Sequence, residues 1–165
     1  VMAVLDSGLT ATLSREFAKR NIKKKEKKRI FDKLEIFYLF IGATIILGVY
    51  FLAGIIADKF IDSSLYTQDQ VIFFLRIIGI DIACQMITRF YNGGLLGLEK
   101  QVQANFIQIG WGVLRNAAVI LVLLLSPSLS SFFIWQASVS FLFVLITRIG
   151  LLNQSCAIQN VNYSK

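Results

Sequence analysis

A chain of 165 residues that is 56% apolar, with one proline, no histidine and a net charge of +7, cannot hide its hydrophobic surface in a water-soluble core. Without histidine there is no metal-ligand cluster, and no nucleophile has a base beside it. The two cysteines fall in different settings, Cys84 in an apolar stretch and Cys156 in a polar tail, so no disulfide is expected.

The chain begins at Val1 without an initiator Met or a signal-peptide pattern. Residues 1–20 read as the cytoplasmic end of a transmembrane helix that starts outside the chain, so a piece of a larger membrane protein is expected. Residues 21–33 read as a basic cytoplasmic loop. From Arg15 to Lys33 there are ten Lys or Arg against three acids, while the remainder carries seven of each sign. Such a cluster could meet nucleic acid, but beside a membrane span the positive-inside rule accounts for it, and anionic lipid headgroups are its expected contacts. Nucleic acid is not an expected partner.

Four apolar stretches follow, 34–57, 71–91, 102–125 and 129–152, each with about the 20 residues a helix needs to cross a hydrocarbon core. The first runs outward from the basic segment, and Asp58 to Asp69, with three Asp against Lys59, lies outside. The second returns to a turn at Asn92 to Lys100, where Asn92, Gly93 and Gly94 can reverse the chain. The third runs outward to Ser126-Pro127-Ser128, and the fourth returns inward to Arg148. Lys100 and Arg148 give both short inner ends a cation. Residues 153–165 form a polar tail without a helical apolar period. The predicted fold is all-α, a polytopic bundle of four spans plus the end of a preceding one.

Polar residues inside the spans are the candidate site. At 100° per residue, Gln101, Asn105, Gln108, Gly112, Arg115 and Asn116 fall within about a 100° arc, and Asp81, Gln85, Thr88 and Asn92 share a narrow face of the preceding span, with Arg89 at its edge. Arg76 points elsewhere and snorkels toward the outer surface. Asp81 and Arg115 both lie near mid-span, where each charge costs about 2.5 to 3.5 kcal/mol to insert. Two arrangements stay open: the two residues pair, or Arg115 lines an aqueous cavity suited to an anion. Counting from the turn sets Arg115 nearer the level of Arg76 than of Asp81, so pairing would need the arginine to reach down.

Gln136, Ser140 and Thr147 share a face of the last span and suit close packing and interhelical hydrogen bonds. Tyr66 and Tyr91 sit where an aromatic belt would anchor the spans. Gly93, Gly94 and Gly97 do not make a phosphate-cradling loop, since no strand precedes them and no Gly-Lys-Ser/Thr follows. Gly93 and Gly97 also fit a GxxxG packing pair, but a tight turn is expected there.

Two segments carry a family resemblance. LDSGLTATLSREFAK, Leu5 to Lys19, followed by a basic loop, and YNGGLLGLEKQVQANFIQI, Tyr91 to Ile109, resemble segments of polysaccharide and O-antigen flippases in the multidrug/oligosaccharidyl-lipid/polysaccharide exporter superfamily. The resemblance covers Val1 to about Leu151. It implies two helical lobes around a cationic cavity, of which this chain supplies most of one, and a second lobe of the same protein as partner. It further implies transport rather than catalysis, no cofactor, a bacterial inner-membrane location and a role in polysaccharide or lipopolysaccharide biosynthesis. The cargo would be a polyprenyl-pyrophosphate-linked oligosaccharide, its head passed through the cavity by alternating access.

Carried onto this sequence, Arg115 and Arg89 would meet the pyrophosphate or acidic sugars, while Gln108, Asn105, Gln85 and Asn116 would be hydrogen-bonding residues of the cavity. Asp6 and Arg15 match charged positions of an Asp-x-Gly…Arg motif and, with Asp81, would be structural or gating charges. A multidrug exporter of the same superfamily would instead need an acidic cavity, and a non-transporting subunit would not require so long a polar stripe. A membrane glycosyltransferase or polymerase would need catalytic carboxylates or arginines on sizeable outer loops, and the loops here are short.

Overall fold

The computed structural model describes residues 24–60 and 66–161. Asp6, Arg15 and the Leu5 to Lys19 motif therefore lie outside the described residues. Among those described, the ordered elements are helical: α1 (Lys24–Phe60), α2 (Gln68–Gly97), α3 (Gln101–Gly112), a π-helical turn (Val113–Ala117), α4 (Ala118–Leu125) and α5 (Leu129–Val161). The α3, π and α4 pieces follow without a break and form one span. Four helical stretches, Arg29–Lys59, Gln68–Gly97, Gln101–Leu125 and Leu129–Asn153, are long and apolar enough to cross a membrane. The chain is a membrane protein with a helical bundle.

Three boundaries differ from the sequence expectation. The basic segment from Lys24 to Lys33, expected as loop, is the first part of α1. Lysine, arginine and glutamate are good helix formers and no glycine or proline interrupts them, so the helix runs through the basic segment as well. The polar tail behaves likewise, with α5 running to Val161.

The third difference has the largest consequence. Gly93, Gly94 and Gly97 do not turn the chain; all three are buried within α2. The reversal comes at Leu98–Lys100, where the Glu99 N–H donates to the Leu96 carbonyl (3.0 Å) and the Lys100 N–H to the Leu95 carbonyl (3.0 Å). This is the Schellman pattern, with Glu99 at φ 59° in the position glycine usually takes. A side chain there costs about 1 kcal/mol.

The second span, α2, is the hub. It packs along α1 on one side and α5 on the other, and the α3–α4 span lies against α5 and α2. The α1–α2 seam is lined by small residues: Ala53 is fully buried, Gly42 faces Ala83 and Ile87, and a Cβ added to Gly79 would meet Val49 Cβ and Cγ1 at 2.9 Å. Close backbone approach of this kind holds membrane helices together where no hydrophobic force acts between them.

Where α1 gives way to α2, Gln68 hydrogen-bonds Asp58, and the Thr67 N–H donates to Gln70 Oε1 (3.1 Å) at the start of α2. At the opposite end of the bundle, Phe31, Tyr38, Phe90, Tyr91, Leu95, Ala104 and Leu151 form one cluster, with the Tyr38 and Phe90 rings stacked at 4.3 Å. Tyr91, expected as an interfacial anchor, is 2% exposed and donates from its hydroxyl to Glu35 Oε1 at 2.7 Å. The same oxygen accepts from Arg148 Nε at 2.8 Å. Glu35 thus joins α1, α2 and α5 through one carboxylate.

Candidate functional site

The mid-membrane charges are paired. Arg115 approaches Asp81 with both guanidinium nitrogens, Nη1 to Oδ1 at 3.0 Å and Nη2 to Oδ2 at 2.8 Å, a bidentate geometry that adds strength and direction. Ser140, fully buried on α5, donates to Asp81 Oδ1 at 2.5 Å and accepts from Arg115 Nη1 at 2.9 Å. Gln85 Nε2 donates to Asp81 Oδ2 at 2.9 Å. The carboxylate therefore accepts four hydrogen bonds, drawn from three spans. Trp111 completes the surroundings, its ring 5.0 Å from the guanidinium carbon.

The reading of Arg115 as an unpaired lining of an aqueous cavity is overturned by this geometry, and the placement of the turn explains why. With α2 extended to Gly97, Asp81 lies sixteen residues before the helix end and Arg115 fourteen after Gln101, about 24 and about 21 Å along their helices. The two side chains meet almost level. Gln85, expected to hold sugar hydroxyls, gives its amide nitrogen to Asp81 in this structure.

The π turn is built around the same pair. Widening the helix at Val113–Ala117 releases carbonyls from the regular ladder, and α5 side chains take them up: Trp135 Nε1 donates to the Leu114 carbonyl (3.1 Å) and Gln136 Nε2 to the Arg115 carbonyl (3.2 Å). Gln136 and Ser140 thus make the interhelical bonds expected of that face, while Thr147 bonds its own helix at the Phe143 carbonyl (2.7 Å).

The polar stripe separates into two sets. Arg115 turns into the bundle, whereas Gln101, Asn105, Gln108 and Asn116 are exposed on the outside of the third span. They stand beside Val102, Phe106, Ile109 and Val113, which are 55 to 82% exposed, so a row of amides flanks a lipid-type surface. Arg89 is exposed about two turns further along α2 than Asp81. Arg76 is exposed as expected, with its guanidinium carbon 4.0 Å from the Tyr50 ring centroid.

Two contributors were not anticipated from sequence: Glu35, a lone acid at the start of an apolar stretch, and the π turn, which leaves no signature in residue types. Among the described residues no group of His, Cys, Asp and Glu could hold a metal ion. No protein-family model, curated protein or solved structure matches the chain.

Proposed function

We propose that this chain forms one lobe of a flippase that moves a lipid-linked oligosaccharide across a bacterial inner membrane, acting as a transporter and not as an enzyme. The observation that carries the reading is the exposed row of Gln101, Asn105, Gln108 and Asn116 on an otherwise apolar outer surface. Uncharged amides in hydrocarbon leave donors and acceptors unmet at a cost of several kcal/mol, so such a row belongs against water, a sugar or another helix. Amides pair well with glycan hydroxyls because each offers both donor and acceptor. The resemblance of Leu5 to Lys19 and Tyr91 to Ile109 to flippase segments supports the same conclusion, with a second lobe as the opposite wall.

The division of labour differs from the sequence expectation. Arg115 is neutralised by Asp81 and serves the bundle, so Asn105, Gln108 and Asn116 contact the glycan and Arg89 is the cationic residue on the exposed side for the pyrophosphate. A multidrug exporter of organic cations is less well served, since Asp81, the mid-span acid of α2, already has its counter-ion.

The test is genetic and biochemical. Cells lacking the encoding gene should accumulate lipid-linked oligosaccharide on the cytoplasmic face of the membrane. The wild-type gene should clear it, and a gene carrying both Asn105→Leu and Gln108→Leu should fail at normal protein abundance. No accumulation in the deletion strain would refute the assignment.

A further inference from the structure

The turn between α2 and α3 opens onto a groove of about 490 Å³ lined by Glu99, Lys100, Val102, Gln103, Phe106 and Ile107. One end carries opposite charges side by side. The other is apolar, with Val102 and Phe106 82% and 79% exposed on the lipid side of the third span. Gln103 lies in the wall between them, and its side-chain oxygen has no hydrogen-bond partner.

We propose that this groove binds a phospholipid whose headgroup combines a phosphate with a primary ammonium, of the phosphatidylethanolamine class. Charge complementarity selects it. Lys100, the residue from which α3 starts, meets the phosphate. The ammonium has N–H donors for the Glu99 carboxylate, and an acyl chain lies along Val102 and Phe106. A choline headgroup has no N–H to give that acceptor, and a glycerol headgroup leaves Glu99 without a cation. Glu99 also occupies a left-handed position that glycine would fill at lower conformational cost. The site stands apart from the amide row and does not depend on the cargo.

Purified chain in detergent, stripped of native lipid, is titrated with phosphatidylethanolamine, phosphatidylcholine, phosphatidylglycerol and polyprenyl phosphate, the phospholipids having identical acyl chains. Bound lipid is counted by native mass spectrometry and melting temperature is followed in parallel. Phosphatidylethanolamine should bind about tenfold more tightly than each of the others, the difference one charge-assisted hydrogen bond makes. Glu99→Gln should bring the preference close to unity. Glu99→Gly should raise the melting temperature in the absence of lipid and still lose the preference, which separates a headgroup ligand from a residue that only shapes the turn. Equal binding of phosphatidylethanolamine and phosphatidylcholine by the unmodified chain, tight binding of polyprenyl phosphate, or an undiminished preference in Glu99→Gly would overturn the proposal.

Discussion

A carboxylate or a guanidinium alone at the centre of a membrane span costs several times what one leucine returns. Asp81 and Arg115 escape most of that cost by pairing, and Ser140 and Gln85 fill the remaining positions on the carboxylate. Removing one partner leaves the other charge buried and alone, which typically costs about 3 to 5 kcal/mol. Arg115→Gln should therefore lower folded abundance sharply, and adding Asp81→Asn should recover most of it, since the double variant buries only neutral amides. Detergent-extracted protein in single and double variants, followed by size-exclusion fluorescence, measures both. Loss of function at normal abundance in Arg115→Gln alone would return the arginine to the cargo. The sequence made the pair visible as a possibility because both charges sit in apolar runs; it did not decide the matter, because a register count depends on where the turn falls.

Elements were legible where hydrophobicity decides them and obscure where backbone detail does. Four apolar runs predict four spans, and among the described residues four helices are long and apolar enough to cross a membrane. Their ends are set by capping and helix propensity instead, so Lys24 to Lys33 joined α1 and the Schellman turn moved the reversal beyond the glycines. Gly93 and Gly94 looked like turn residues because glycine serves turns and close packing alike. The α1–α2 seam depends on the second use. At Gly79 a Cβ would stand 2.9 Å from Val49, so Gly79→Leu should force the helices apart and Gly79→Ala should do so less. Crosslinking yield between cysteines placed at Gly42 and Ala83 reads the separation: it should fall in the order wild type, Ala, Leu. An unchanged yield in the Leu variant would mean that the seam does not hold the spans together.

At the scale of the molecule, charges and amides have separate tasks. Two ion pairs, Asp81 with Arg115 at mid-span and Glu35 with Arg148, the latter joined by Tyr91, tie the spans into one body. The amides of the third span face outward, on the flank between its packed side and its lipid side. Periodicity revealed that row in the sequence but included Arg115 in it, since a uniform 100° step carries no knowledge of the π turn that accompanies the arginine's turn inward. The central claim is that the row meets water or sugar. Single cysteines at Gln108 and at its neighbour Ile109, in a chain whose native Cys84 and Cys156 are replaced, test it directly with a water-soluble thiol reagent applied to membranes of the producing cells. Gln108→Cys should label readily, and more slowly when lipid-linked oligosaccharide accumulates, while Ile109→Cys, at a position that is 65% exposed on the apolar flank the account assigns to lipid, should stay unlabelled. Failure of both to label, or equal labelling of the two, would contradict the account.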